Sequence, residues 1–318
     1  MIKVLANDGI SSKGVEKLVE NGFNVLTEKI NQEDLIEKIN NKNIEVLLVR
    51  SATKVRKDII DNCPNLKIIG RGGVGMDNID VDYAREKGKH VINTPASSSN
   101  SVAELVFAHL FGMVRFLFAS NRQMPMEGDS NFKELKKSFS SGIELSGKTL
   151  GIIGFGRIGQ EVAKKAIGLG MNVLAHDKHT KDTDVTIHFF NGDKKTFNIE
   201  INDLETVLKE SDFITVHVPK IDKKAVIGAN EIGLMKTGAG IINTSRGGVI
   251  DETALMFSLD KEKLAYASLD VFEDEPTPSI HLLMHNAISL SPHIGAATNE
   301  AQERIGLELA DQIIAIYK

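Results

Sequence analysis

Short, uninterrupted apolar runs recur along this chain and alternate with amphipathic helical patterns. In the first hundred residues these runs lie at 3–6, 24–26, 45–49, 67–69 and 90–92. A run such as "VLLV", without polar alternation, is typical of a strand buried on both faces of a parallel sheet. A second series begins at "KTLGIIGFG" and continues through "MNVLAHD", "DFITVHVP", "AGIINTS", "LAYASLDVF" and "NAISLSP". The sequence therefore predicts an α/β fold with two doubly wound parallel-sheet domains.

The length of 318 residues also favours two domains, and the two series place one at 1–97 with 292–318 and the other at 98–291. A net charge near −5 gives no argument for a nucleic-acid or anionic-membrane partner. The single cysteine, Cys63, cannot form an intrachain disulfide, which favours a reducing compartment and predicts a cytoplasmic protein. We expect Cys63 to be a buried thiol near the end of a helix.

Three segments depart from the regular alternation. Residues 102–119 predict one long buried helix that joins two domains or two subunits, because Glu104, His109 and Arg115 disfavour a membrane span. Residues 122–142 are polar with few periodic apolar positions and predict a surface crossing. An Asn-Gly pair within 185–201 predicts a β-hairpin. The N-terminus lacks a signal-peptide pattern, and no regulatory domain is expected after the terminal helix.

A glycine-rich loop opens the second series. Gly154, Gly156 and Gly159 form a G-x-G-x-x-G pattern between a predicted strand and a predicted helix that begins at Arg157. Glycines at this spacing allow a tight turn and the close approach of a pyrophosphate to the N–H groups at the helix start. Asp177 closes the next predicted strand and can accept hydrogen bonds from the adenosine ribose, which favours NAD over NADP. The basic residues that follow it leave tolerance of NADP open.

Three further polar residues follow predicted strands of the second series: Arg246 in "INTSRGGVID", Glu275 in "SLDVFEDEP" and His293 in "LSPHIGAAT". Open parallel sheets bind ligands at the carboxyl ends of their strands. Hydride transfer also needs a proton donor and acceptor and a cation that polarises the substrate, which these residue types can supply. Taken singly, each residue is more simply interpreted without a function, as a surface arginine, a turn glutamate before Pro276 and a histidine that precedes a helix.

Together the three strings resemble the signature blocks of the D-isomer-specific 2-hydroxyacid dehydrogenases, in their usual order. The resemblance covers nearly the whole chain and implies that His293 exchanges a proton with the C2 oxygen of the substrate, with Glu275 as its hydrogen-bonded partner. It implies that Arg246 binds the carboxylate and carbonyl of a 2-oxo acid. It also implies a flavodoxin-like substrate domain, a Rossmann NAD-binding domain and a cleft between them that closes on its ligands. No metal site is expected.

The same resemblance implies further contacts with NAD and with the substrate. Besides the loop glycines, the expected NAD contacts are Arg157, Ile158, Asp177, Val218, Pro219, Thr244, Ser245, Asp270, Gly295 and Ala296. In the first series, "GRGGVGMDNID" resembles the glycine turn of the family, whose N–H groups at Val74 and Gly75 receive the substrate carboxylate. Residues 185–201 look longer than the family norm, which we interpret as surface variation.

Arg50 and Arg71 stand at the carboxyl edges of two neighbouring predicted strands in the first series. Two guanidinium groups at adjacent edges form a doubly cationic pocket that suits a dianion such as phosphate. "VRSATKV" together with "GRGGVGMDN" resembles the members of the family in which both arginines bind the 3-phosphate of 3-phospho-D-glycerate. The resemblance thus implies NAD-dependent oxidation of 3-phosphoglycerate to 3-phosphooxypyruvate, the first step towards serine.

Two alternatives stay open. A glyoxylate/hydroxypyruvate or D-lactate type reductase of the same family would use the two arginines only as structural ion pairs. A protein of another class, an NAD(H)-sensing binding protein built on this fold, can retain the same catalytic residues. The resemblance further implies a homodimer or a higher homo-oligomer.

Overall fold

Residues 1–220 and 224–318 are described by the computed structural model. The strands are β1 Lys3–Ala6, β2 Asn24–Leu26, β3 Val46–Val49, β4 Ile68–Arg71, β5 His90–Asn93, β6 Thr149–Ile153, β7 Asn172–His176, β8 Thr183–His188, β9 Lys194–Ile199, β10 Phe213–Val216, β11 Ala239–Asn243, β12 Leu264–Leu269 and β13 Ile288–Leu290. The helices are α1 Ser12–Glu20, α2 Leu35–Lys42, α3 Lys57–Asn62, α4 Val81–Glu86, α5 Ser99–Val114, α6 Leu117–Glu127, α7 Phe132–Ser138, α8 Arg157–Gly168, α9 Leu204–Glu210, α10 Ala229–Leu234, α11 Glu252–Asp260, α12 Ile280–Leu283 and α13 Asn299–Tyr317. The strands therefore lie where the apolar runs predict them.

The chain divides into two units, unit 1 at residues 1–101 with 296–318 and unit 2 at residues 102–295. The sequence expectation places both crossings slightly earlier, at 97–98 and 291–292. Unit 1, which is described throughout, holds a five-stranded parallel sheet in the order β2-β1-β3-β4-β5. This is the 2-1-3-4-5 order of flavodoxin-like folds, as expected.

Strand β3 shows why its residues form a central strand. All four of its side chains are buried. Leu47 and Val49 pack into one apolar cluster, whereas Val46 and Leu48 pack into a second cluster with α13. Because successive side chains of a strand point to opposite faces, a run without polar residues requires a sheet that is covered on both sides.

In the described part of unit 2, a six-stranded parallel sheet has the order β13-β12-β11-β10-β6-β7. On the free side of β7, at the edge of the sheet, Ile201 forms a single parallel β-bridge with Ala175 of β7. If Ile201 is counted as a rudimentary third strand, the central order is the 3-2-1-4-5-6 order of a Rossmann fold. The strand order reverses between β6 and β10, and a parallel sheet of this kind binds its ligand at that point.

The prediction of one helix over 102–119 is wrong. Helix α5 ends at Val114, Phe116 adopts a left-handed conformation with φ 52°, and α6 begins at Leu117. The Val114 carbonyl accepts a hydrogen bond from the Ile143 N–H (3.1 Å) instead of continuing the helix. An apolar stretch carries no signal for a break that depends on a residue almost thirty positions away.

The segment at 122–142 lies at the surface as predicted, since nearly all of its residues are exposed, and it contains the end of α6 and all of α7. Only Leu135 of α7 is buried, so the helical period leaves almost no apolar pattern. The predicted hairpin is present as antiparallel strands β8 and β9, with Gly192 at φ 89° in the turn. Cys63 is buried directly after α3, and burial raises the pKa of its thiol to about 11.

Among the described helices, none is by itself both long and apolar enough to cross a membrane. Helices α5 and α6 meet the length and composition criterion only as a pair, and a 57° bend separates them.

Candidate active site

The glycine loop after β6 is shaped by close backbone contacts. Gly154 has φ 96°, and a Cβ there would lie 2.7 Å from the carbonyl carbon of His217. A Cβ on Gly159 would overlap the Gly154 carbonyl oxygen. Gly156 precedes the first residue of α8, and both Gly156 and Arg157 are exposed. The first N–H groups of α8 thus face an open space next to a tight glycine turn, which suits an anionic group.

Asp177 follows β7 beside this loop and is fixed by backbone donors. Its Oδ2 accepts from the Phe155 N–H (2.7 Å), and its Oδ1 accepts from the N–H groups of His179 and Thr180 (both 2.8 Å). Burial alone would raise the pKa of Asp177, but these hydrogen bonds outweigh burial and hold its pKa below the usual value. A carboxylate retains further acceptor capacity, so Asp177 can still meet ribose hydroxyls and repel a 2′-phosphate.

A cavity of about 500 Å³ lies where the strand order of unit 2 reverses. Its walls include five residues that the sequence predicts for NAD, namely Gly154, Gly156, Asp177, Val218 and Pro219. Two buried side-chain atoms nearby, His217 Nδ1 and Thr244 Oγ1, have no hydrogen-bond partner among the described residues. The cavity, the glycine turn and the orphaned polar atoms together fit a bound dinucleotide.

His217 is a site residue that the sequence reasoning missed. Its ring lines the cavity, and its Nε2 lies 3.0 Å from Thr215 Oγ1. Burial lowers the pKa of His217 to about 3, so the ring is neutral at physiological pH. No local pattern distinguishes this histidine, because its environment is set by β6 and the glycine loop.

The lowered pKa of His217 predicts that the free energy of unfolding falls as the pH decreases from about 6.5 towards 3. In this range the unfolded chain binds a proton on His217 that the folded chain does not bind. The free energy of unfolding therefore falls by about 1 kcal/mol for each pH unit. Urea unfolding at about pH 7 and pH 5 measures the effect. The His217→Gln variant, which cannot titrate, should show a weaker pH dependence, and an equal slope in both proteins would contradict the assignment.

His293 and Glu275 form the pair that the sequence predicts. His293 Nδ1 lies 2.8 Å from Glu275 Oε2, and the other carboxylate oxygen of Glu275 accepts from the Phe272 N–H (3.0 Å). The carboxylate therefore favours the proton on Nδ1, which leaves Nε2 for chemistry. Both side chains are partly exposed (40% and 37%), so a reacting group can reach the ring.

Asp270 is completely buried and fixes the conformation of residues 291–295, which we call the 291–295 turn. Its Oδ1 accepts from Ser291 Oγ (2.6 Å) and from the Ile294 N–H (2.8 Å), and its Oδ2 accepts from the Gly295 N–H (2.9 Å). A contact of Asp270 with the nicotinamide end of NAD stays a prediction. The contacts that Asp270 makes in the structure orient the segment that carries His293.

Arg246 lies in the turn after β11. Asn243 organises this turn, because its Oδ1 accepts from the Ser245 N–H and hydroxyl and its Nδ2 donates to the Arg246 carbonyl (2.9 Å). Arg246 is half-buried, and its Nη1 donates to the Ser245 carbonyl (2.7 Å). A Cβ on Gly247 would overlap the Phe272 carbonyl oxygen, so this turn packs directly against the segment whose N–H binds Glu275.

In unit 1, Arg50 and Arg71 both lie beside the glycine turn at residues 72–75. Val49 pairs with Arg71 across β3 and β4, and Arg50 follows Val49. A Cβ on Gly72 would lie 3.7 Å from Arg50 Cγ, and one on Gly73 would overlap Arg71 Nη1. Two half-buried guanidinium side chains thus pack against consecutive glycines.

Asp8 and Asn78 hold the loop that carries Arg50, and the sequence reasoning missed both. Asp8 Oδ2 accepts from the N–H groups of Arg50 (2.7 Å) and Thr53 (3.0 Å). Asn78 Nδ2 donates to the carbonyls of Arg50 (2.7 Å) and Thr53 (2.6 Å). Asp8 is the second residue after β1, so its place at the carboxyl end of a strand is a signal in the sequence, whereas the partners of Asn78 leave no such signal.

Three further residues are predicted to contact ligands. Val74 and Gly75 lie in the glycine turn of unit 1, and Ala296 lies at the second chain crossing. Among the described residues, the N–H groups of Val74 and Gly75 have no protein hydrogen-bond acceptor, while Asn93 Nδ2 binds the Val74 carbonyl (2.7 Å). Such free N–H groups can bind a carboxylate. The Ala296 carbonyl accepts from Gln302 Nε2 (2.7 Å), which is a contact within unit 1.

Comparison with known proteins gives a family for this architecture. Residues 107–295 match the family model described as D-isomer specific 2-hydroxyacid dehydrogenase, NAD binding domain. The chain is 42% identical to a hydroxypyruvate reductase of Thermotoga maritima, over 98% of this chain and 97% of that protein. It is 41% identical to a D-3-phosphoglycerate dehydrogenase of Methanocaldococcus jannaschii, over all of this chain but only 58% of that protein.

Among solved structures, the NAD⁺-bound 3-phosphoglycerate dehydrogenase of Entamoeba histolytica superposes with a TM-score of 0.77 at 29% identity. The superposition covers 99% of this chain and 95% of that one. The chain thus matches nearly the full length of this relative and of the Thermotoga reductase, but little more than half of the archaeal dehydrogenase.

Proposed function

This chain belongs to the D-isomer-specific 2-hydroxyacid dehydrogenase family, and we propose that it oxidises 3-phospho-D-glycerate to 3-phosphooxypyruvate with NAD. The proposal makes it a cytoplasmic enzyme of the first step in serine biosynthesis. NAD as the cofactor agrees with the family's NAD-binding domain and with Asp177 beside the glycine loop.

One observation carries the choice of substrate, and it is the packing of Arg50 and Arg71 against Gly72 and Gly73. Arg71 lies opposite Val49, and Arg50 directly follows Val49, so both side chains start at the carboxyl ends of adjacent parallel strands. Guanidinium groups bind phosphate oxygens by paired, charge-assisted hydrogen bonds. A phosphorylated 2-hydroxy acid can therefore form charge-assisted hydrogen bonds with these guanidinium groups that an unphosphorylated acid cannot form.

In the proposed reaction, NAD would be held at the cavity lined by Gly154, Gly156 and Asp177 and would supply the hydride acceptor for C2 of the substrate. His293 Nε2 takes the proton of the C2 hydroxyl, and Glu275 on Nδ1 stabilises the resulting imidazolium. Arg246 holds the carboxylate and the developing carbonyl oxygen. The N–H groups of Val74 and Gly75 bind the carboxylate as well.

A hydroxypyruvate reductase is the second candidate, and a specific observation favours it. The Thermotoga relative of that name is 42% identical to this chain, slightly above the 41% of the M. jannaschii D-3-phosphoglycerate dehydrogenase. Under this reading Arg50 and Arg71 would stabilise the glycine turn without binding a phosphate.

A substrate panel separates the candidates. With NADH, kcat/KM for 3-phosphooxypyruvate is expected to exceed that for hydroxypyruvate by a factor of at least about 100, because each charge-assisted phosphate contact contributes about 1.5–3 kcal/mol. The reverse order would identify a hydroxypyruvate reductase. No turnover with any 2-oxo acid would favour an NAD(H)-sensing protein. The same panel with NADPH tests whether Asp177 excludes a 2′-phosphate.

We also propose that the protein is at least a homodimer. Large apolar side chains of α5, α6 and α7 are exposed, namely Phe111, Leu117, Phe118, Met126 and Phe132. Exposed apolar clusters of this kind commonly mark protein–protein interfaces. Sedimentation equilibrium should give at least twice the chain mass of 34.8 kDa, and the monomer mass at micromolar concentration would contradict the proposal.

A further inference from the structure

We propose that His109 is a positioning residue for the 291–295 turn, and that it acts through Ser291 and Asp270. The inference rests on the proposed function, because it assigns a catalytic consequence to His109 and Ser291, which act only through Asp270. Its contacts all lie within unit 2.

The contacts begin on α5 and β13. Ser289 and Ser291 are two residues apart, so their side chains lie on the same side of the extended chain. The ring of His109, which is only 6% exposed, lies between the two hydroxyls. Its Nδ1 is 2.9 Å from Ser289 Oγ, and its Nε2 is 2.8 Å from Ser291 Oγ.

The direction of these hydrogen bonds follows from Asp270. Ser291 Oγ donates its proton to Asp270 Oδ1 (2.6 Å), so it can only accept from His109. Nε2 of His109 therefore carries a proton, and Nδ1 of the neutral ring accepts from the Ser289 hydroxyl. Burial lowers the pKa of His109, while the nearby charge of Asp270 opposes this shift in part. The ring is thus a neutral imidazole with one fixed tautomer.

The other end of this chain of hydrogen bonds holds the backbone beside His293. Asp270 accepts from the N–H groups of Ile294 and Gly295, the two residues that follow His293. His293 itself has φ 55°, a left-handed conformation that costs a non-glycine residue about 1–2 kcal/mol. Such a conformation persists only where surrounding contacts impose it. Asp270 supplies those contacts, and His109 with Ser291 fixes the carboxylate that makes them.

A pair of His109 variants tests the inference. His109→Leu keeps an apolar side chain of similar size but removes the donor to Ser291, whereas His109→Gln keeps a donor near the position of Nε2. We expect His109→Leu to lower kcat at least tenfold, with the dissociation constant of NADH changed by less than about threefold. His109→Gln should retain at least half of the wild-type kcat.

Phe107→Leu serves as the matched control for core packing, because Phe107 is also buried on α5 (6% exposed). It should lower the melting temperature without lowering kcat of the folded enzyme. Equal losses of kcat in the Leu and Gln variants, or a loss in His109→Leu no larger than in Phe107→Leu, would overturn the positioning role.

A second measurement does not depend on turnover. In protein labelled with ¹⁵N-histidine, His109 should give the spectrum of a neutral ring protonated on Nε2 between about pH 6 and 8. The ¹⁵N shifts of His293 should change in His109→Leu and in Ser291→Ala, but not in His109→Gln. A proton on Nδ1 of His109, or unchanged His293 shifts in His109→Leu, would refute the inference even if the proposed substrate were wrong. Conversely, the expected spectra without any turnover would refute only the proposed function.

Discussion

Replacing His293 with asparagine is expected to lower kcat by a factor of about 100 to 10,000, which is the usual contribution of a general acid/base. Asparagine retains an N–H group that can donate to Glu275 as Nδ1 does now, but it has no counterpart of the basic Nε2. It also tolerates the left-handed backbone conformation at φ 55° better than most residues. The variant should therefore fold and lose only the proton transfer.

Steady-state kinetics and NADH binding by fluorescence together check this prediction. The dissociation constant of NADH should change by less than about threefold, because His293 does not line the cavity next to the glycine loop. Glu275→Gln is the companion variant, since it keeps an acceptor for the Phe272 N–H but removes the charge beside the imidazolium. A kcat above one tenth of the wild-type value in His293→Asn would show that another group moves the proton.

The second large effect is expected at the two arginines of unit 1. Arg50→Gln or Arg71→Gln should each lower kcat/KM for 3-phosphooxypyruvate by a factor of about 10 to 100, and the double variant by about 100 to 10,000, because each removes a charge-assisted contact with the phosphate. The values for hydroxypyruvate should stay within about threefold of wild type. Since both side chains are only half-buried, the losses should become smaller at high ionic strength.

Arg56→Gln is the matched control, because it removes the same charge from unit 1 at a different place. Arg56 pairs with Asp80 (2.9 Å), and its side chain is 44% exposed. This variant should leave both substrates unaffected, since surface ion pairs contribute little. If the losses at Arg50 and Arg71 were equal for phosphorylated and unphosphorylated substrates, the two arginines would only support the glycine turn.

Local sequence patterns correctly predict those structural features that depend on residues close together in the chain. Uninterrupted apolar runs predict parallel strands covered on both faces, and the packing of Val46–Val49 into two clusters confirms it. The spacing of Gly154, Gly156 and Gly159 predicts a strand–turn–helix loop, and the structure places Gly154 and Gly156 in the turn and Gly159 in the first turn of α8. The pairing of His293 with Glu275 could be anticipated only through the resemblance, because these residues are 18 positions apart.

Long-range contacts explain what the pattern missed. The break between α5 and α6 depends on the Ile143 N–H, which caps the Val114 carbonyl. The loop of Arg50 is held by Asp8 and Asn78, which lie 42 and 28 residues away in the chain. Such contacts leave no periodic trace, since each joins groups that lie tens of residues apart in the chain.

By itself, the sequence determined the two α/β sheets, the nucleotide loop and the residue types available for hydride-transfer chemistry, because hydrophobic period and glycine spacing act over a few residues. Only the tertiary structure decided which polar groups meet. It joins His109, Ser291 and Asp270 into one chain of hydrogen bonds behind His293, and it sets Arg50 and Arg71 on the same glycine turn. The physical reason is that a buried polar group must find a partner, and the partner's identity depends on which distant segment folding brings beside it.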